Sequence, residues 1–161
     1  MITQLIGRLV EKSPTGVVID CNGVGYMVHI SLHTYSQLSS DESIKLFTYL
    51  QVKEDSHTLF GFFTTIERAV FQQLISVSGI GASTARTMLS SLEPQQIQRA
   101  IVSEDLATIK SVKGIGLKTA QRVLIELKDK MLNLFDGEEI QAFSNNTIKE
   151  EALSALEVLG Y

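Results

Sequence analysis

VSGIGASTAR (residues 77–86) and VKGIGLKTAQR (residues 112–122) are two copies of one short sequence pattern. Gly79 opens the Gly-Ile-Gly unit of the first copy and Gly114 opens that of the second, a spacing of 35 residues (114 − 79). In both copies an apolar segment precedes the glycines, and residues at helical spacing follow them. The pattern predicts two hairpins, each of which joins two helices.

The glycines suit a site for phosphate. Glycine accepts a positive φ and lacks a Cβ, so Gly-Ile-Gly can turn sharply and bring backbone N–H groups close to a ligand. A helix is predicted to begin just after each turn, where unpaired N–H groups and the positive end of the helix dipole favour an anion. Both isoleucines are expected to pack back between the helices and hold the turns rigid. The predicted DNA-backbone site includes Gly79, Ile80, Gly81, Gly114, Ile115 and Gly116.

Two known phosphate motifs are excluded. The dinucleotide fingerprint needs a third glycine and a preceding strand, and both are missing here. A P-loop needs a lysine directly after its last glycine, whereas Leu117 follows Gly116. A single copy would be more typical of an ordinary connection between helices. Two copies in one basic segment favour two clamps on a nucleic-acid backbone, which position a protein without reading bases.

The chain has a net charge of −4, and its charged residues are unevenly distributed along the sequence. Residues 1–64 carry −2 (4 basic and 6 acidic residues), and residues 65–134 carry +3 (9 basic and 6 acidic). Residues 135–161 carry −5 (1 basic and 6 acidic). The segment with the repeated pattern is therefore the basic one, which indicates a polyanionic partner.

Composition favours a soluble, cytoplasmic protein. Hydrophobic residues make up 44% of the chain, and no apolar run approaches the ~20 residues that span a membrane. The N-terminus has no export-signal pattern, and Cys21 is alone, which suits a reducing compartment. His29 and His33 lack a Cys or acidic companion at ligand spacing, so neither a metal site nor a cofactor is predicted.

Strand-like patterns fill residues 1–64. An Asn22-Gly23 turn signal separates two β-branched or aromatic runs, which is typical of a tight hairpin. Further runs at 44–52 and 58–63 bring the total to about five or six strands, which suits a small barrel.

Helical spacing begins after Thr64. Thr64 and Glu67 form a capping-box pattern, in which each side chain is expected to bond the backbone N–H of the other residue. Helices are predicted over about 65–77, 83–91, 94–102, 103–109 and 117–134.

The C-terminal part divides into two further segments. Residues 135–146 are acidic and weakly patterned, and we predict a flexible linker there. A second capping box then predicts a helix over 147–161, with Leu153, Leu156 and Leu159 on its apolar face. A lone amphipathic helix cannot bury its own apolar face. It either docks elsewhere or opens a third small domain that this sequence does not complete.

The chain resembles the RuvA family, the Holliday-junction-binding subunits of the bacterial branch-migration machine. Beyond the paired hairpins, the similar segments in chain order are GVGYMV (23–28), KEDSHTLFGF (53–62), IERAVFQQLI (66–75), GIGLKTAQRVLIELKDK (114–130) and ALEVLGY (155–161). The resemblance covers essentially the whole chain. It implies an α+β fold with an OB-fold β-barrel over 1–64, a tandem helix-hairpin-helix domain over 65–134 and the start of a helical third domain over 147–161.

The resemblance also implies function and partners. Members of the family are non-enzymatic and bind four-way junction DNA independently of its sequence. They bind it as one homotetramer or as an octamer made of two tetramers. The ATPase activity belongs to a hexameric RuvB-like motor, and a RuvC-like resolvase is a further partner. The third domain contacts the motor, which implies that role for Leu153, Leu156 and Leu159. An acidic pair on a barrel hairpin forms a central pin at the crossover, and Glu54 and Asp55 hold those positions.

Two positions depart from the family pattern. Members often have Pro-Lys after the first hairpin and Lys-Lys after the second, whereas this chain has Ala82-Ser83 and Leu117-Lys118. Each difference removes a cation beside the phosphate. DNA-backbone binding is therefore expected to depend on backbone N–H groups and on Ser83, Thr84, Lys118 and Thr119.

Two other functions remain open from the residues alone. A helix-hairpin-helix glycosylase or lyase would need a reactive Lys or a general-base Asp in a base-flipping pocket, and the Gly-Ile-Gly turns contain no acid. A protein-docking scaffold would have no salt-sensitive affinity for DNA. From the residues alone, Glu54 and Asp55 are predicted to form an ordinary solvated turn, and the pin depends on the resemblance.

Overall fold

A computed structural model describes residues 1–40 and 43–158, with side chains described except at 137–154 and 157. The N-terminal half is a closed five-stranded barrel in the order β1-β2-β3-β5-β4. Its strands are β1 (Gln4–Lys12), β2 (Gly16–Cys21), β3 (Val24–Ile30), β4 (Ile44–Val52) and β5 (His57–Phe62). β1 closes the barrel by pairing antiparallel with β4, and β3 pairs parallel with β5.

The β2–β3 hairpin has the turn that its sequence predicts. Asn22 and Gly23 have positive φ values of 54° and 92°, and Cys21 pairs with Val24 across them. Asp20 Oδ1 accepts a hydrogen bond of 2.7 Å from the Gly23 N–H. Two positive φ values in a two-residue loop match the right-handed twist of the flanking strands. The predicted tight hairpin is confirmed.

A short helix, α1 (Leu32–Gln37), connects β3 to β4 and was not predicted. Ser31 caps it, because the Ser31 hydroxyl accepts a hydrogen bond of 3.1 Å from the Thr34 N–H. With 6 residues it is too short for an apolar periodicity to stand out in the sequence.

Five helices follow the barrel in the described part of the chain. They are α2 (Thr65–Ile75), α3 (Ala82–Ser91), α4 (Pro94–Val102), α5 (Leu106–Lys110) and α6 (Leu117–Val158). The α5 helix begins three residues later than predicted, because Glu104 has a positive φ of 57° and Asp105 caps the helix through the Thr108 N–H. The α4 helix has the predicted bounds and begins with Pro94 at a position that needs no N–H donor.

The barrel and the helices share packed apolar side chains. Phe71 on α2 lies with its ring centroid 5.2 Å from that of Phe60 and 4.9 Å from that of Phe62, both on β5. These rings belong to one buried cluster that continues through the hairpin helices. A second cluster fills the barrel interior around Ile19, Val28 and Leu46. The division of the chain into domains at residue 64 stays a prediction.

The C-terminal helix differs from its prediction. The acidic composition of 135–146 predicts a linker and a new helix from 147, whereas α6 is one helix of 42 residues from Leu117 to Val158. The segment contains no proline, and its single glycine, Gly137, costs a helix only about 1 kcal/mol. Acidity therefore does not end the helix. No helix within the described part of the chain is long and apolar enough to cross a membrane.

Candidate nucleic-acid interface

The two Gly-Ile-Gly turns have the same backbone geometry. Gly79 has a φ of 96° and Gly114 has a φ of 91°, a region that side-chain-bearing residues rarely adopt. In the first turn the Ile80 N–H donates to the Val77 carbonyl at 3.1 Å. In the second the Ile115 N–H donates to the Val112 carbonyl at 3.2 Å. The sequence repeat is therefore a structural repeat.

The isoleucines hold these turns from inside. The side chains of Ile80 and Ile115 are only 5% and 6% exposed, and Val77 and Val112 are buried beside them. Their N–H groups are also engaged within the turns. Ile80 and Ile115 therefore have neither a side chain nor an N–H group to offer a ligand, and they act by fixing the turn.

Each turn leads into the N-terminus of a helix. The first helical bond of α3 runs from the Ala85 N–H to the Gly81 carbonyl at 3.0 Å, and that of α6 from the Ala120 N–H to the Gly116 carbonyl at 2.9 Å. The N–H groups of residues 82–84 and 117–119 precede these bonds, so they have no carbonyl partner within their helices. Both sites therefore present N–H donors and a positive dipole end, an arrangement that suits a phosphate oxygen.

The two hairpins touch each other through the first turn of α6. A Cβ placed on Gly79 would lie 3.2 Å from Thr119 Oγ1. Arg122 Nη1 also donates a hydrogen bond of 3.3 Å to the Ser78 carbonyl. By contrast, no described atom lies within 4 Å of a Cβ placed on Gly114. Thr119 therefore stands between the two turns, and the second turn is the more open of the two.

The cations are divided unequally between the hairpins. Lys113 and Lys118 are exposed at the second turn, whereas the corresponding positions of the first turn carry Ser78 and Ser83, both also exposed. Thr84 is half-buried in the first turn of α3. The second clamp thus has charged side chains and N–H groups, and the first has hydroxyl and N–H groups.

Arg86, the nearest cation on α3, is turned toward the barrel, which sequence reasoning missed. Its Nη1 donates to the Thr15 carbonyl at 3.2 Å and lies 3.4 Å from His29 Nδ1. Burial and, after it, the positive charge of Arg86 lower the pKa of His29 below its ordinary 6.5. Since an arginine only donates, this contact needs a His29 Nδ1 without a proton. Arg86 therefore joins the first hairpin to the barrel.

The predicted acidic pair lies in the turn between β4 and β5. This turn closes with a hydrogen bond of 2.8 Å from the Lys53 N–H to the Ser56 carbonyl. Glu54 and Asp55 are both exposed at its tip, and Ser56 Oγ donates to Asp55 Oδ1 at 3.4 Å. None of the ion pairs formed by the described residues includes either carboxylate. Both negative charges therefore project from the end of the barrel.

The remaining predicted site residues are at the C-terminus. Leu156 is 47% exposed near the end of α6. The side chain of Leu153 and all of Leu159 lie outside the described residues. Their contact with a motor stays a prediction. Among the residues whose side chains the structure describes (1–40, 43–136, 155, 156 and 158), no group of three or more His, Cys, Asp or Glu is arranged to hold a metal ion.

Comparison with known proteins matches two segments of the chain to family models and the whole chain to relatives. Residues 1–61 match the model of the RuvA N terminal domain, and residues 71–129 match that of the SAM-like helix-hairpin-helix tandem. The chain is 60% identical over 161 residues to the Holliday junction branch migration complex subunit RuvA of Christiangramia forsetii, covering 100% of this chain and 83% of that protein. It is 62% identical over 161 residues to the protein of that name from Flavobacterium psychrophilum, with the same coverage. For Neisseria meningitidis serogroup B the identity is 44% over 164 residues, with 100% and 84% covered.

Proposed function

This chain belongs to the RuvA family, and from that premise we propose that it binds four-way DNA junctions independently of base sequence and holds them open for branch migration. It acts as the DNA-binding subunit and not as an enzyme. The energy for migration comes from a partner ATPase of the RuvB kind. The proposed role is in recombination and DNA repair, in the cytoplasm, where bacterial DNA lies.

The duplicated hairpin is the observation that carries this proposal. Two turns with φ values of 96° and 91° each precede a helix N-terminus, and they touch through Thr119 and Arg122. Two adjoining phosphate sites can grip two neighbouring stretches of a DNA backbone at once. Phosphate contacts position a protein without carrying sequence information, so the proposed binding is to shape and phosphate. The proposed DNA contacts are the free N–H groups of each helix start together with Ser83, Thr84, Lys118 and Thr119.

The acidic turn supplies the selectivity in this proposal. We propose a homotetramer, in which four copies of Glu54 and Asp55 meet at the centre of the junction. Carboxylates repel phosphates, so a continuous duplex across the centre is disfavoured, while a junction whose strands part there is tolerated. The exposed apolar side chains of the barrel, such as Ile6 at 56% and Met27 at 63%, are consistent with burial between copies.

The test is a binding comparison on two DNAs. Fluorescence anisotropy with a labelled four-way junction and a duplex of the same arm sequence should give tighter binding to the junction, and native mass spectrometry should give four subunits per junction. Equal affinity for both DNAs would contradict the proposal. Cleavage of an abasic duplex would instead favour a lyase, and a lack of salt-sensitive DNA binding would favour a docking scaffold.

A matched pair of variants tests the clamps themselves. Gly114→Val should lose junction binding, because valine disfavours the positive φ of the turn. Gly25→Val, in strand β3 of the barrel, is a control for the same change away from the hairpins, since a Cβ there meets its nearest described atom at an ordinary 3.7 Å. Unchanged junction binding by a folded Gly114→Val protein would contradict the backbone-clamp account.

A further inference from the structure

Glu67 carries a buried carboxylate at the boundary between the barrel and the first hairpin. It is 0% exposed, although its neighbours on the buried face of α2 are apolar. Its Oε1 accepts a hydrogen bond of 2.5 Å from the Ser31 hydroxyl, and its Oε2 accepts one of 2.6 Å from the Thr34 hydroxyl. The Phe63 N–H also donates to Oε2, at 3.2 Å. The predicted capping box is therefore half correct: the Glu67 N–H bonds Thr64 Oγ1, but the Glu67 carboxylate bonds these other groups.

Hydrogen bonds, and not a cation, satisfy this carboxylate. None of the ion pairs among the described residues includes Glu67. Ser31 and Thr34 are themselves 2% and 0% exposed, and no buried side-chain N or O atom in the described part of the chain lacks a partner. Losing a donor to a buried carboxylate is costly, since water cannot replace it. The three donors therefore favour one relative position of α1 and α2.

The same short helix is bound to the other half of the hairpin. The Leu32 N–H, at the start of α1, donates a hydrogen bond of 3.0 Å to Ser90 Oγ on α3. The chain then passes from α1 into β4, which ends at the acidic turn. The aromatic contacts of Phe71 with β5 also join the two parts, but apolar contacts are not directional and restrict the angle less. Arg68 and Arg86 also donate hydrogen bonds to barrel carbonyls, but those bonds are exposed and water competes for them.

From this arrangement, and resting on the proposed function, we propose that Glu67 is a positioning residue: its hydrogen bonds to Ser31, Thr34 and Phe63 fix the angle between the barrel and the first hairpin. That angle sets the distance from the acidic turn to the phosphate clamps. A junction must satisfy both at once, whereas a duplex needs only the clamps. Glu67 therefore contributes to the preference for junctions more than to DNA affinity itself.

Four variants separate positioning from folding. Ser31→Ala with Thr34→Val and Glu67→Met replaces the polar network with apolar groups of similar volume. Ser31→Ala alone is measured beside it, because Ser31 also caps α1 and that cap is lost in both variants. Glu67→Gln keeps the size of the side chain, and because hydroxyls rotate, it can keep its bonds to Ser31 and Thr34. Glu11→Gln makes the same charge change at an exposed carboxylate on β1 and is the matched control.

Two readouts are needed. The first is the ratio of duplex to junction dissociation constants. The second is the distance distribution between two spin labels, one at Val24 on the barrel and one at Lys130 on α6. It is measured without DNA in a Cys21→Ser background, and the labelled subunits are diluted in unlabelled protein. In the triple variant we expect a broader distribution and a ratio lower by about tenfold, which corresponds to about 1.4 kcal/mol. Glu67→Gln and Glu11→Gln should resemble the parent.

A triple variant with the parent's distance distribution and ratio, at equal thermal stability, would overturn the inference. If the triple variant does not fold, Thr34→Val compared with Thr34→Ser makes the same test, because serine keeps the donor and valine removes it at similar volume. Failure of the parent to prefer junctions would contradict the proposed function instead. The distance measurement uses no DNA and would still test the role of Glu67.

Discussion

Arg122 Nη1, on α6, donates a hydrogen bond of 3.3 Å to the carbonyl oxygen of Ser78, in the turn of the other hairpin. One helical turn earlier, Thr119 lies against Gly79 of that same turn. The helix that begins at the second hairpin therefore supports the first. The two clamps are therefore in direct contact with each other through the first turns of α6.

This arrangement predicts unequal effects of one substitution at the two turns. Gly114→Ala should lower the free energy of unfolding by about 1–2 kcal/mol, the cost of a left-handed backbone for alanine. Gly79→Ala should cost more, because its Cβ would also lie 3.2 Å from Thr119 Oγ1 and that side chain would have to move. Urea unfolding of both variants measures the difference. Gly116→Ala, with no positive φ and no described atom within 4 Å of its Cβ, is the control and should be close to the parent.

The unequal cations predict how binding responds to salt. Lys118→Ala should make the plot of log affinity against log salt shallower by about 0.9 for each phosphate that Lys118 neutralises. Lys45→Ala removes the same charge at the start of β4, the opposite end of the strand from the acidic turn, and should leave the slope unchanged. Equal slopes for the parent and Lys118→Ala would mean that Lys118 does not bind phosphate.

The first hairpin should bind more tightly when it is given a charge that it lacks. Ser83 is exposed in the first turn of α3, at the position that corresponds to Lys118 in the repeat. Ser83→Lys should tighten junction binding at low salt and steepen the salt dependence by about 0.9 for each further phosphate that it neutralises. Ser83→Gln adds length without charge and is the control. A slope that stays at the parent value would place residue 83 away from the DNA.

Local signals in the sequence predicted the elements on which the fold depends. Asn22-Gly23 and the two Gly-Ile-Gly units all need backbone conformations that few residues adopt, so their residue types indicate turns wherever they occur. All of these turns are present in the structure. The barrel and the paired hairpins followed from them and from the periodicity of the flanking segments.

Contacts between distant segments could not be predicted in this way. The carboxylate of Glu67 matches a capping box by spacing, yet its partners Ser31 and Thr34 are 36 and 33 residues away. Arg86 counts toward the basic segment, yet it bonds Thr15, 71 residues away. Residue type and local spacing do not specify which distant donor or acceptor the fold brings near. The helical state of 135–146 was missed for another reason, since charge was read as disorder in a segment that lacks a helix breaker.

The contact between His29 and Arg86 predicts a dependence of stability on pH. Because the pKa of His29 is lowered in the folded protein, the unfolded chain takes up this proton first as the pH falls. The stabilisation is complete above the ordinary pKa of 6.5 and declines as the pH falls from there through the lowered pKa. Chemical unfolding at a series of pH values should therefore give a lower free energy of unfolding below pH 6.5. His29→Gln should weaken this decline, and His57→Gln, which removes an exposed imidazole, is the matched control.

The acidic turn gives the final prediction, which concerns selectivity. Glu54→Gln together with Asp55→Asn keeps the shape of both side chains and removes two negative charges from each subunit. The turn itself should persist, since it is closed by the backbone bond from Lys53 to Ser56. Without the repulsion, duplex binding should become tighter by more than junction binding does, so the preference for junctions should fall. The effect should be largest at low salt, because exposed charges are screened over about 10 Å at 0.1 M salt.

The control for this variant removes the same number of negative charges at other positions. Glu11→Gln with Asp129→Asn, both exposed in the described chain and away from the turn, makes the same change in net charge. If general attraction to DNA were the cause, the control would tighten duplex binding as much as the variant at the turn. If instead repulsion at the junction centre is the cause, the variant at the turn alone should lose discrimination. Anisotropy titrations of both proteins with junction and duplex, at matched salt and with confirmed tetramers, decide between these outcomes. If the turn variant and the parent have the same ratio of duplex to junction dissociation constants, Glu54 and Asp55 form only a solvated turn.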